Sequence, residues 1–161
     1  MISPKYNLLV DYPLTVRSKK GKPAEMIYPD ITILFGDELV GIVEVKNDLG
    51  YMSEDWANQS RKKLEKLRNA ELVTYKEHVN TKIKERVIPL HRTKEFNQIV
   101  VVISGINGHG KIDSLKSNHT CFVLMPHHHP NNPIHDEELK EIINDNSGWI
   151  ELGKHLAKHY A

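Results

Sequence analysis

Beginning at Asp30, apolar and polar positions mix and then become almost wholly apolar: DITILF, a Gly36-Asp37 break, then ELVGIVEVK over 38–46. Ile, Thr and Val suit a pleated, half-buried strand. Gly-Asp between two such runs suits a tight turn, so the pattern predicts a β-hairpin. Side chains alternate along a strand, which puts Val43 and Val45 on one face and Glu44 and Lys46 on the other. Upstream, residues 6–17 read as extended, with Pro13 marking an edge position or a break. Residues 18–23 (SKKGKP) read as a turn with exposed lysines. Downstream, NDLGY reads as a loop, and Ser53 as a helix N-cap with Glu54 and Asp55 favourable in the first turn. Trp56, Ser60, Leu64, Leu67, Ala70 or Glu71, and Val73 or Thr74 recur at three- and four-residue steps. This predicts a helix from about residue 53 into the seventies. No period dominates from there to residue 95, and Pro89 limits helix.

The second half carries two unbroken apolar runs. NQIVVVISGI (97–106) and TCFVLMP (120–126) read as strands covered on both faces. NGHGK between them reads as a turn, and HHHPNNP as a loop. Two surface helices are predicted at 135–144 and 149–159, separated by Asn146-Ser147-Gly148; the second presents Ile150, Leu152 or Gly153, Leu156 and Ala157. Strands, a long helix, a strand, a connection, a strand and helices in that order predict an α/β fold with a mixed sheet flanked by helices. The 161 residues fit a single domain, 1–161.

Composition narrows the classes. No apolar run approaches the ~18 residues of a membrane span, and the first residues lack the pattern of a signal peptide. The single cysteine, Cys121, allows no internal disulfide and suits a reducing cytoplasm. Net charge is +1 with His neutral. Bulk electrostatics therefore does not drive nucleic-acid binding, and any such site must concentrate its charge locally. RKKLEKLR (61–68) is such a concentration, although the commoner meaning of the pattern is the wet face of an amphipathic helix. Trp56 on that helix reads as core rather than as a base-stacking surface.

The hairpin carries the chemistry. Pro29-Asp30 opens one strand and Glu44-Val45-Lys46 closes the next. The distance from Asp30 to the turn matches that from the turn to Glu44, so the two carboxylates meet at one end of the sheet, with Lys46 on the same face as Glu44. Hard oxygen ligands of this kind hold Mg²⁺ beside a phosphate. The metal neutralises the phosphate and lowers the pKa of a bound water, and a nearby lysine stabilises developing charge. The peptide carbonyl of Val45 offers a further metal ligand.

The stretch YPDITILFGDELVGIVEVK resembles the PD-(D/E)XK nuclease superfamily, through Pro29, Asp30, Glu44 and Lys46 with an apolar strand on either side of the turn. The resemblance covers roughly residues 26–70 and implies a restriction-endonuclease-like fold. It implies Mg²⁺ (with Mn²⁺ as a substitute) on Asp30 and Glu44, Lys46 assisting the attacking water, and a polar residue of the following helix, here Gln59, completing the site. Arg61 or Lys63 would then touch phosphate. It departs from the pattern in one respect: many members carry a helix with an acidic residue before the first strand, and here only Glu25 stands near that place. The departure is compatible with a domain of a larger protein or a subunit of an assembly.

The expectation is a metal-dependent deoxyribonuclease, an endonuclease of restriction, defence or repair, acting on DNA without a membrane. RNA as the substrate stays open. A homodimer is the economical way to cut both strands of a duplex. Against it stand two readings: a catalytically inactive nucleic-acid-binding module of the same fold, and a protein-interaction domain in which the motif is coincidence. Singly, Glu and Lys on a strand are usually a solvated face. His127, His128 and His129 cannot all face one metal and read as an exposed loop; a zinc site would need Cys121, His119 or His135 as partners. The stretch 105–111 lacks the ending of a phosphate-binding loop, since Ile112 follows Lys111.

Overall fold

The computed structural model describes residues 5–18, 22–50, 53, 55–91, 96–105, 107, 109–128, 135, 137, 140 and 146–160. The described elements are β1 (Tyr6–Val10), β2 (Leu14–Arg17), β3 (Glu25–Ile27), β4 (Ile31–Phe35), β5 (Glu38–Asp48), α1 (Trp56–Arg68), β6 (Leu72–Val79), β7 (Lys82–Val87), β8 (Asn97–Ser104), α2 (His109–Asn118), β9 (Thr120–Met125) and α3 (Ser147–Tyr160). They form a mixed α/β architecture with one sheet in the order β1-β4-β5-β8-β9 and another in the order β3-β2-β6-β7. The chain divides into two compact units, Pro4–Glu44 with Asn58–Gln98, and Val45–Ala57 with Ile99–Ala161 and Met1–Ser3.

The named strands of the first unit pair antiparallel, and an isolated parallel bridge joins Leu39 to Leu90. β4 and β5 form the expected hairpin, running from Ile31 opposite Val43 to Phe35 opposite Glu38 with a bulge at Ile33/Leu34. Its turn is possible because Gly36 takes a left-handed φ of 59°, where a Cβ would strain the backbone. β1 pairs with β4 from Tyr6 opposite Phe35 to Val10 opposite Ile31. Pro13 lies in the break between β1 and β2, where Asp11 has φ 56°. Leu14, Val16, Ile27 and Val73 of the second sheet, Leu34, Leu39 and Ile42 of the hairpin, and Leu64 and Leu67 of α1 share one buried core. Leu67 is completely buried; such a leucine contributes about 2–5 kcal/mol over alanine.

The second unit is a β-helix-β crossover. β8 and β9 run parallel, Ile99 opposite Thr120 and Val102 opposite Val123, which requires a crossover, and α2 supplies it. Ile99, Val100, Val101 and Val102 are all buried, as a strand covered on both faces should be. Leu49, Val100, Val102, Ile112 and Leu115 form its core, with Trp56 packed against them. α3 begins against β9 so closely that a Cβ at Gly148 would lie 1.8 Å from the Val123 carbonyl oxygen, so only glycine fits.

The structure corrects several expectations. α1 spans Trp56–Arg68 only, and residues 72–79 are strand β6. Val73 and Thr74 are buried there as strand residues, not as the end of a helical stripe. Residues 82–87, where no period dominated, are β7, the partner of β6. β5 runs on through Asn47 and Asp48, which had been read as loop. His109-Gly110-Lys111 opens α2 instead of closing a turn, because Ile112 and Leu115, three residues apart, find a core to bury in. Ser147 and Gly148 belong to α3. His127 is exposed, but His128 is buried and its carbonyl accepts a hydrogen bond from the Ser104 hydroxyl. His129 and nearly all of the helix expected at 135–144 lie outside the described residues.

Candidate functional site

Both carboxylates of the motif sit at the same end of the first unit's hairpin. Ile31 pairs with Val43, so Asp30 and Glu44 are each one residue beyond the last pair in the same register. Asp30 is half-buried, behind buried Pro29, and its carbonyl accepts the Asp11 N–H at 3.0 Å. Glu44 is 3% exposed. A carboxylate at that depth must be compensated, and the compensation comes from α1: Lys63 Nζ lies 2.5 Å from Glu44 Oε1. The same amine donates to the Tyr28 carbonyl at 3.4 Å.

Lys63 follows from the helix period. Ser60, Leu64 and Leu67 are buried, and Ser60 accepts a hydrogen bond from Gln98 at 2.6 Å. Burying that stripe leaves Gln59, Lys62, Lys63 and Lys66, spaced i, i+3, i+4 and i+7, along its flank. These four form one wall of a cleft of about 330 Å³, whose other wall is Met26, Ile27 and Tyr28. Gln59, predicted to complete the site, is an exposed residue of this wall. The resemblance implies Arg61 or Lys63 on phosphate; the structure makes Lys63 the partner of Glu44. The helix period places Lys63 one turn beyond Gln59 and beside the buried stripe, but not the strand it faces.

Three other cations of α1 are also engaged. Lys66 is ion-paired with Glu25, Arg61 lies 4.0 Å from Glu65, and Arg68 donates to the Phe96 carbonyl at 2.9 Å. Glu25 therefore faces α1 through Lys66, in an exposed pair that is worth little energetically and readily exchanged.

Val45 and Lys46 follow Glu44 on β5 and belong to the second unit. There, Lys46 Nζ stands 5.6 Å from the centroid of the Trp56 ring, a cation–π distance. Further along, Asp48 is buried and accepts from neutral donors: Asn107 Nδ2 at 2.7 Å and the Gly50 N–H. Lys111 donates to the Leu49 carbonyl at 3.2 Å. These contacts tie Asp48 to the backbone that follows β5 and to Asn107. Burial pushes the Cys121 thiol up to about 11 despite the nearby Lys116, which keeps it a poor nucleophile at neutral pH.

Among the described residues, no three His, Cys, Asp or Glu side chains converge as a metal cluster. Asp30 and Glu44 stand at matching positions at the end of the hairpin, and Mg²⁺ is a hard ion that takes one or two carboxylates and keeps several waters. No described helix is long and apolar enough to cross a membrane. Comparison with protein-family models, with curated proteins and with solved structures gives no match for this chain.

Proposed function

We propose that the chain is a metal-dependent nuclease of restriction-endonuclease-like fold, hydrolysing phosphodiester bonds in DNA at the Asp30–Glu44 end of the hairpin. The observation that carries this reading is a buried carboxylate at the register point beside Asp30, held by a lysine that also lines a cationic cleft. Deep burial of Glu44 makes sense for a group that must stay fixed and acceptor-only, and the cleft gives a polyanion somewhere to lie. The donor set fits Mg²⁺ or Mn²⁺: Asp30 and Glu44 supply hard oxygens, with the Val45 carbonyl next in the chain. Bound there, the ion would neutralise the scissile phosphate and acidify a water.

The protein's own groups do the rest. Asp30 and Glu44 would hold the ion. Lys46, two residues beyond Glu44 and matching the lysine of the motif, would assist the attacking water and stabilise negative charge as it develops. Lys63 holds Glu44 in place and, with Lys62 and Gln59, receives the phosphate backbone. A homodimer would bring two such centres to the two strands of a duplex.

A catalytically inactive nucleic-acid-binding module is the second reading. It is favoured by the Lys63–Glu44 pair, which already engages a carboxylate oxygen that a metal would use. Cleavage of supercoiled plasmid with Mg²⁺ or Mn²⁺ decides between them. The nuclease reading expects nicking or linearisation by the wild type, lost by about 100-fold or more in Glu44→Ala and Lys46→Ala. An inert wild type that still binds DNA supports the binding module. A protein-interaction domain predicts neither DNA binding nor stabilisation by Mn²⁺ or Ca²⁺, whereas an ion bound only by the native state raises the melting temperature.

A further inference from the structure

Tyr28 is the least expected residue of the cleft. Its side chain is 64% exposed although the ring is large and mostly apolar, and it stands opposite the Gln59–Lys62–Lys63–Lys66 stripe of α1. Its backbone is held on two sides, and its hydroxyl makes one exposed contact. Pro29 follows it, which confines its backbone to the extended region. Its carbonyl accepts from Lys63 Nζ at 3.4 Å, and its hydroxyl lies 3.7 Å from the Met26 sulfur. The ring is therefore held at the mouth of a cationic cleft without being used in the core.

We propose that this cleft is a single-strand subsite: Tyr28 stacks on one unpaired base while Lys62 and Lys66 hold the phosphates on either side of it. The inference deepens the nuclease reading and rests on it for the identity of the polymer as nucleic acid. An aromatic face beside lysines is the arrangement that binds single strands without regard to sequence. In a B-form duplex the base faces are already stacked on one another, so a ring presented in this way has a partner only where a base is unpaired, as at a flap, a bubble or an end. The cleft's volume of about 330 Å³ is at the small end of the ~300–1,000 Å³ of small-molecule sites, the scale of a single nucleotide. The exposed Lys66–Glu25 pair exchanges readily for a phosphate, because an ion pair in water contributes little.

The test is equilibrium binding of fluorescent oligothymidylate and of a blunt duplex of equal length, with EDTA present so that cleavage plays no part. The proteins compared are wild type, Tyr28→Ala, Tyr28→Phe and the double variant Lys62→Ala/Lys66→Ala. All three substitution sites are exposed, and the melting temperature of each variant checks the fold. The expected result is that wild type prefers the single strand and Tyr28→Ala weakens it roughly 5- to 100-fold, the worth of one stacked base. Tyr28→Phe, which keeps the ring, restores wild-type affinity. The double variant lowers the slope of log affinity against log salt by about 0.7 for each lysine lost. Equal binding by Tyr28→Ala and wild type, or preference for the duplex, overturns the proposal. Because the binding assay holds no metal, it is read independently of plasmid cleavage with Mg²⁺ or Mn²⁺: a protein that binds the single strand through Tyr28 but cuts nothing in the metal assay overturns the nuclease and leaves the subsite standing. One that cuts DNA but ignores Tyr28 does the reverse.

Discussion

β5 carries two buried carboxylates four residues apart, Glu44 and Asp48, and they are satisfied in opposite ways. Asp48 accepts from neutral donors, the Gly50 N–H two residues on and the Asn107 amide. Those contacts tie off the end of a strand, and nothing about them requires a charge elsewhere. Glu44 takes a cation from a helix nineteen residues away in sequence, and that cation lines an open cleft. A carboxylate held by neutral amides has its partners within the fold. A carboxylate held by a quarter-exposed lysine at the edge of a cleft has a partner that solvent and ligands can reach. Burial alone does not distinguish the two; the partner does.

The largest effect should separate them on activity. Glu44→Gln keeps the shape and still accepts from Lys63 but removes the charge a metal needs, so cleavage should fall by about 100-fold or more. The melting temperature should change only modestly, since the quarter-exposed Lys63 retains water. Asp48→Ala should show the opposite pattern. It leaves Gly50 and Asn107 without their acceptor, at a cost of about 1–3 kcal/mol of stability in chemical denaturation, with cleavage retained. The value should lie toward the low end because Gly50 is exposed.

The smallest effect is a control on pH. His155 in α3 has its pKa lowered below the ordinary 6.5 by burial, and then by the neighbouring His159 and Lys158 charges. The folded state therefore binds that proton less readily than the unfolded chain. The stability it contributes is present above about pH 6.5 and is lost as pH falls through the lowered value. His155→Phe should flatten the slope of melting temperature against pH in that window, while Glu44→Gln should leave it unchanged. A slope that survives in His155→Phe would assign the proton to another group.

Much of the hairpin was legible because its signals are local: Gly36 at the turn, β-branched runs on either side, and equal arm lengths that predict Asp30 beside Glu44. The apolar runs at 97–106 and 120–126 were legible for the same reason. The β6–β7 hairpin was not. Its turn residues Asn80 and Thr81 take φ of 46° and 65° without a glycine to announce them. Val73 and Thr74 also happen to continue the helical spacing of Ser60, Leu64 and Leu67. Tertiary burial on β2, where Val73 faces Val16, decides between the two periods. α2 was missed because Gly110 near its start reads as a turn, and only the core offered to Ile112 and Leu115 makes the helix worthwhile. Lys63 as the partner of Glu44 is a long-range fact. The stripe Gln59–Lys63–Lys66 was readable, but the strand it would face was not. The spacing of Glu44 and Lys46 left Lys46 equally free of a stated partner, and the aromatic face of Trp56 supplies one.

The central claim is that Glu44 is a working carboxylate and Asp48 a structural one. The most direct measurement is plasmid cleavage with Mn²⁺ by wild type, Glu44→Gln and Asp48→Asn at matched fractions folded. The account predicts cleavage by wild type and by Asp48→Asn, and a loss of about 100-fold or more in Glu44→Gln. Cleavage by Glu44→Gln at the wild-type rate, or its loss in Asp48→Asn alone, would contradict it.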